Sequence, residues 1–275
     1  ALYKAQIAKL KERYAGKMDI LCGLEWDLYS DDDPTQYDYW IGSTHYVRGP
    51  KTGKYYEIDW REEDLRACID DDFDGDALAV VEAYFANVAK VAEKKPTILG
   101  HFDLIKKING DGKFFDENDP RYTAAANAAL MTAARNRCVL EVNTSAVYRG
   151  FRKDFFPSDA ILKEWLVLSG NVVITADAHD TKALTFGFEA VAAKLKELGY
   201  DYGCRDGGFG PMLVAAVKKA QVDFGMESTG IATSEFQKRA FADAVDAGGG
   251  TGYVVLQKGS KGEAVTRLQL ALREQ

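Results

Sequence analysis

Histidine is scarce in this chain: 275 residues hold three, His45, His101 and His179. Cysteine is scattered rather than paired. No Cys-x-x-Cys links Cys22, Cys68, Cys138 or Cys204, which excludes a zinc ribbon or a disulfide framework and fits a reducing cytoplasm. Long apolar runs are missing too: none approaches the roughly 20 residues that span a bilayer, and no signal-peptide pattern opens the chain, so no membrane partner is expected. Cationic side chains are outnumbered, 35 Lys and Arg against 42 Asp and Glu, for a net charge of −7. This argues against nucleic acid as the main partner, because a phosphate backbone needs a surplus of Lys and Arg on one face. An anionic substrate then requires local positive charge, from metals or placed arginines. What remains is ordinary: 47% hydrophobic and 28% charged residues, enough chain for one large or two modest domains with a real core.

The few histidines stand in similar places, each opening or closing a short apolar run near Gly, Ser or Asp. In residues 171–180, NVVITADAHD, a β-branched run reads as a buried strand that ends in Asp177 and His179. Alternate side chains of a strand point the same way. Both are therefore expected to face one side at its C-terminal mouth, where a carboxylate and an imidazole suit a divalent metal; a polar loop capping the next helix is the plainer alternative. Residues 18–24 read as a strand followed by Glu25, and 39–46 as one that ends at His45. Residues 97–99 close on His101, and 139–142 end at Asn143. Helices are expected over 1–16, 77–94, 121–135 and 158–168, and a hairpin-like or lid loop over 48–54. The acidic run DDDFDGD at 70–76 imitates a calcium loop, but the final Glu of that pattern falls on Val81. An acidic N-terminus favouring the following helix dipole accounts for it better. Strand, loop and helix alternate five times, which predicts an α/β fold with parallel strands, a barrel being one form it can take. Four of the five strands carry Glu25, His45, His101 or the Asp177 and His179 pair at one edge, and this makes a multi-metal site the leading reading.

GLEWD around Glu25, GSTHYV around His45, GHFDLI around His101, EVNTSAVYRGFR at 141–152 and ADAH at 176–179 together resemble the histidinol-phosphatase members of the polymerase and histidinol phosphatase (PHP) superfamily. The match runs in order from about residue 1 to about residue 200. It implies a partial, distorted (β/α)7 TIM-like barrel over 1–198 and hydrolysis of L-histidinol phosphate to histidinol and phosphate, a step of histidine biosynthesis. It implies that Glu25 bridges two metals, that His45 and His101 ligate one metal, and that Asp177 and His179 each hold one of the others. Up to three divalent ions, zinc, iron or manganese, are expected, since mixed nitrogen and oxygen ligation selects weakly among them. Such a cluster would acidify a water for in-line attack on phosphorus, with Glu25, Asp177 and His179 as the catalytic set. Arg149 and Arg152 fall where the family holds phosphate, and a guanidinium fork suits two phosphate oxygens; a solvated loop pair is their plainer reading. Asn143 is expected to orient substrate or to serve a turn. One departure stands out: family members open with a His-x-His strand, and no such pair occurs here. The expectation is an N-terminally incomplete member that binds metals poorly and whose activity is left open.

Residues 196–241 are similar to a small three-helix peptidoglycan-binding repeat, through LGY, a Gly-Phe-Gly-Pro turn and an AV-x-x-x-Q helix. The expected division is 1–198 for the phosphatase domain, 199–245 for an all-α peptidoglycan-binding-like domain, and 246–275 for a linker and the start of a second repeat. The helix at 188–198 is expected to serve both neighbours. Peptidoglycan or protein contact through this tail is implied, and a non-enzymatic cell-wall binding protein is the rival reading; a PHP hydrolase of another phosphoester is a third.

Overall fold

Seven short strands rich in β-branched and aromatic residues are spread through the first two thirds of the chain: β1 Gly23–Asp27, β2 Tyr39–Ser43, β3 Tyr46–Arg48, β4 Tyr55–Glu57, β5 Ile98–Leu99, β6 Val139–Asn143 and β7 Asn171–Thr175. The computed structural model describes residues 2–168, 170–200, 211–241 and 254–273, which fall into two units, Ala1–Leu198 and Gly199–Gln275. In the first unit five strands pair in parallel in the order β1-β2-β5-β6-β7, while β3 and β4 form an antiparallel hairpin. Parallel neighbours need crossovers. These are supplied by α2 Glu62–Ala67 and α3 Ala77–Glu93 before β5, α4 Pro120–Arg135 before β6, and α5 Ser145–Tyr148 with α6 Asp159–Val167 before β7. Among the described residues β1 and β7 each pair on one side only, so the sheet is an open, partial barrel.

The core lies where α3 and α4 meet. Val80, Val81, Tyr84, Phe85, Val88 and Val91 are buried along one face of α3, and Tyr122, Ala126, Ala129, Leu130 and Ala133 along α4. Burying Phe85 or Val88 contributes about 1.5–3 kcal/mol each. The alanines of α4 let the two helices approach, and the Phe85 and Tyr122 rings meet edge to face at 5.4 Å. Gly42 sets how closely β2 lies on this layer, because a Cβ there would stand 2.5 Å from Val91 Cγ1.

Several local expectations change. The strand expected over 18–24 begins only at Gly23, and Met18 and Leu21 are exposed. Its partner explains this: Gly23 pairs with Tyr39, the first residue of β2, so the earlier residues would run past the end of the neighbouring strand. The strand expected over 39–46 is broken after Ser43, where the chain turns into the β3–β4 hairpin. The acidic run divides its labour. Asp76 caps α3 by accepting from Ala79 N at 3.1 Å, whereas buried Asp72 accepts from Lys51 N, Thr52 N, Thr52 Oγ1 and Tyr56 OH and so holds the hairpin. The N-terminal helix, α1 Leu2–Arg13, buries no side chain, as a surface helix should.

Helix α7, Phe188–Glu197, packs on β7 and is tied to α6 by Lys194 Nζ and Asp159 Oδ2 at 2.8 Å. The second unit contains α8 Pro211–Asp223, α9 Ser234–Ala240 and α10 Glu263–Arg273. Its core joins Leu213, Val217 and Ala220 of α8, Phe236 and Ala240 of α9, and Val265 and Leu268 of α10. Ala232 and Leu256 form an isolated antiparallel bridge, with backbone hydrogen bonds of 2.8 and 3.1 Å. The segment expected to open a second repeat therefore completes the core of this one. The Gly-Phe-Gly-Pro turn is described only at its final Pro211, and the 246–252 linker lies outside the described residues. Among those described, no helix is long and apolar enough to cross a membrane.

Candidate functional site

Three ligand-bearing side chains converge at the sheet. Glu25 sits in the middle of β1 rather than past its end; His45 and His101 each follow a strand end by two residues. Glu25 Oε1 lies 3.0 Å from His101 Nε2 and 3.4 Å from His45 Nε2, and one ligand atom from each residue falls within 4.8 Å of the others. The two imidazole rings stand edge to face with centroids 4.9 Å apart. Gly100 lets the chain come this close, since a Cβ there would lie 2.8 Å from Ile41 Cγ2 and from Ser43 Oγ.

A second layer holds these groups in place. Asp27 Oδ2 accepts from His45 N at 2.8 Å and lies 3.3 Å from His45 Nδ1, which turns Nε2 toward Glu25. Buried Glu141 accepts from His101 N at 2.7 Å and from Thr175 Oγ1 at 2.6 Å. Ser43 Oγ donates to Glu25 at 2.9 Å. Neither Asp27 nor Glu141 was picked out from sequence as a site residue. A signal existed for Asp27, since it stands two residues after Glu25 on one strand and so shares its face; buried Glu141 inside an apolar strand offers only the oddity of its charge.

Electrostatics bind the three together. Burial alone would favour a neutral Glu25, but the hydrogen bonds from His101 and His45 and their charges hold its carboxyl far below the usual range. For His45 burial opposes the charged form, yet Asp27 and Glu25 outweigh it and push the imidazole up to about 10. His101 is raised in the same way, by Glu25 against burial. One carboxylate and two imidazoles make a mixed oxygen and nitrogen donor set that suits a divalent zinc, iron or manganese ion. His101 Nε2 is the ring nitrogen that faces Glu25, at 3.0 Å, and so the one placed to join it in holding an ion, while Nδ1 is buried without a partner among the described residues.

Asp177 and His179 lie in the loop beyond β7, not on it. Strand alternation therefore does not place them. Asp177 instead adopts the left-handed conformation with φ of 43°, unusual for a residue with a side chain and found where structure over-determines it. Its Oδ2 accepts from Ser145 Oγ at 2.9 Å, with Asn143 Nδ2 at 3.4 Å, while His179 is largely exposed with Nδ1 2.9 Å from Asp177 O. Both belong to the same cavity as Glu25, His45 and His101, a space of 160 Å³ that Asn143 and Arg149 also line. Arg149 has no carboxylate partner among the described residues and stacks on Phe151 at 5.1 Å. Arg152 is the correction: its fork is taken by Glu117 and Asp154 and by the carbonyls of Lys106 and Gly110, and it does not line the cavity. It braces the loop that presents Arg149.

Comparison with known proteins agrees with this architecture. The chain is 26% identical over 208 residues to the histidinol-phosphatase of Bacillus subtilis, covering 68% of this chain and 74% of that protein. It is 24% identical over 210 residues to the "Probable histidinol-phosphatase" of Deinococcus radiodurans, covering 72% of each. The HisK crystal structure from Listeria monocytogenes has the same fold, with a TM-score of 0.56, 19% identity, and coverage of 69% of this chain and 74% of that one. Residues 188–239 match the model of the family described as "Putative peptidoglycan binding domain". The match thus begins at α7, a helix that belongs to the first unit.

Proposed function

We propose that this chain is a metal-dependent phosphomonoesterase that hydrolyses L-histidinol phosphate to L-histidinol and phosphate, a step of histidine biosynthesis and so a cytoplasmic setting. The observation that carries the reading is the convergence of Glu25, His45 and His101 in one cavity with an uncommitted arginine, Arg149. Glu25, Asp59 and Asp177 line this small space, and cations that offset their charge favour the entry of a phosphate. Glu25, His45 and His101 would hold a divalent ion, which would supply positive charge and the means to acidify a water at the phosphate. Asp177 and His179 are the residues suited to hold further ions, up to three in all, of zinc, iron or manganese. The remaining steps fall to the chain itself. Asp27 fixes the His45 tautomer, Glu141 fixes the backbone of His101, Arg149 offers its fork to two phosphate oxygens, and Asn143 orients the substrate from beside Asp177. The two named relatives support the substrate. The likeness of residues 188–239 to a peptidoglycan binding domain supports a contact with peptidoglycan or a protein through the C-terminal unit.

The test is release of phosphate from L-histidinol phosphate with added manganese or zinc, comparing the chain with Glu25→Gln, alongside metal content by equilibrium dialysis. Metal-dependent release that falls at least about a hundredfold in Glu25→Gln, with loss of bound metal, is expected. Release that is metal-independent or equal in both proteins, or no release from the metal-loaded chain, overturns the reading.

A further inference from the structure

Asp177 and His179 stand in a loop beyond β7, and the His179 side chain is 68% exposed, so neither strand pleat nor packing fixes where its ring points. The loop is fixed by α5. Ser145 and Tyr148, the first and last residues of this four-residue helix, are three apart and share one face of the turn. Buried Ser145 donates through Oγ to Asp177 Oδ2 at 2.9 Å, and Tyr148 OH donates to both carboxylate oxygens of Asp180, at 3.0 and 2.9 Å. Residues 177–180 are thus gripped at both ends by one short element.

Each grip is itself secured. Ser145 N donates to Asn143 Oδ1 at 2.8 Å, at the end of β6. The Tyr148 ring stands edge to face with Phe186 at 5.1 Å, and Asp180 Oδ1 closes the turn that follows it by accepting from Lys182 N at 2.8 Å and Ala183 N at 3.1 Å. Between the grips Asp177 keeps its left-handed backbone, a conformation that persists only where the surroundings over-determine it. The Asp177 carbonyl faces His179 Nδ1 at 2.9 Å, which leaves Nε2 as the ring nitrogen that can meet an ion. Ser145 lines the cavity together with Asp177 and His179; Tyr148 does not. We propose that Tyr148, acting through Asp180, is a positioning residue that together with Ser145 holds Asp177 and His179 toward Glu25, His45 and His101. This rests on the phosphatase reading for the use made of Asp177 and His179. The bracket itself is measured without turnover.

Tyr148→Phe keeps the ring on Phe186 and removes only the hydroxyl. In the metal-free protein, amide hydrogen exchange at Lys182 and Ala183 should quicken about threefold to tenfold for the loss of one hydrogen bond, with the melting temperature of the first unit unchanged because the bond lies at the surface. In equilibrium dialysis, manganese held beyond the first ion should bind about tenfold more weakly. With L-histidinol phosphate, kcat should fall by the same order while KM stays within about twofold. In an Asp180→Ala background, Tyr148→Phe should change none of these further, because its partner is already gone. Exchange and manganese affinity that stay the same in Tyr148→Phe overturn the inference, as do a chain that binds no manganese beyond one ion, an effect equally large without Asp180, or a fall in melting temperature that accounts for the loss. If exchange and manganese binding respond through Asp180 but the unaltered chain cleaves no phosphoester, the bracket stands and the hydrolase reading falls.

Discussion

Lys106 is fully buried, and its replacement by methionine should cost the first unit more than any surface charge would. Its Nζ lies 3.0 Å from Asp103 Oδ2 and 2.7 Å from Asp154 Oδ2, over the Phe156 ring at 5.5 Å. Asp103 is equally buried; it accepts from Ser158 N at 3.0 Å, and its Oδ1 has no partner among the described residues. Lys106→Met keeps the stem's volume and removes the charge, which leaves Asp103 as an uncompensated interior carboxylate. Breaking such a pair costs about 3–5 kcal/mol. At about 2–4 °C per kcal/mol for a domain of this size, the melting temperature should fall by roughly 6–20 °C. Urea unfolding followed by the fluorescence of buried Trp26 and Trp165 reads the loss directly. Asp103→Asn in the Lys106→Met background should recover much of it, because a neutral amide replaces the stranded charge. A single variant that loses less than about 1 kcal/mol, or a double variant no better than the single, would show that the interior network is not what holds this loop. The network also bears on the site: Asp103 stands two residues beyond His101, and Phe156 O accepts from Asn143 N at 2.7 Å.

Acid should reveal the same network from the other side. Burial favours neutral Asp154, but Lys106 and Arg152 outweigh it and hold its carboxyl below the ordinary value. A depressed folded pKa means the stabilisation is complete above the unfolded value of ~3.9 and is lost as pH falls through the folded one. The urea midpoint of the first unit should therefore drop from about pH 4 downward, and drop less in Lys106→Met; a midpoint flat to pH 3 contradicts this. For the second unit, a fragment of residues 199–275 should be helical and melt cooperatively, and Leu268→Ala within it should cost about 2–5 kcal/mol. A fragment of residues 188–241, which contains the whole family match but lacks α10, should not; equal cooperativity in the two would mean that α7 can stand in for α10.

That last comparison shows where reading a sequence stops. The alternation of strands and helices, the α3 and α4 stripes and the place of His45 and His101 after strand ends follow from periodicity and chain punctuation, which are local, and they hold in the structure. Register is not local. Residues 18–22 include several apolar side chains but form no strand, because β2 starts opposite Gly23 and only Cys22, through Asp38, still meets the neighbouring chain. Arg149 and Arg152 look alike in sequence, yet only Arg152 meets Glu117, thirty-five residues away, and is consumed by it. Helices α7 and α10 pose the same problem at the scale of a domain. Each carries Glu-Ala-Val, at 189–191 and 263–265, and each buries that valine, Val191 in the first unit and Val265 in the second. Their periodicity says that both have an apolar face; it does not say which surface will cover it. The choice is made by what the rest of each unit leaves open: β7 and α6 present a site for α7, with Asp159 waiting for Lys194, while α8, α9 and the Ala232–Leu256 bridge lead the chain from its far end into the remaining gap. A helix that lies inside a family match by sequence can thus pack on the sheet that precedes it, while another segment with the same Glu-Ala-Val pattern completes the helical core that follows.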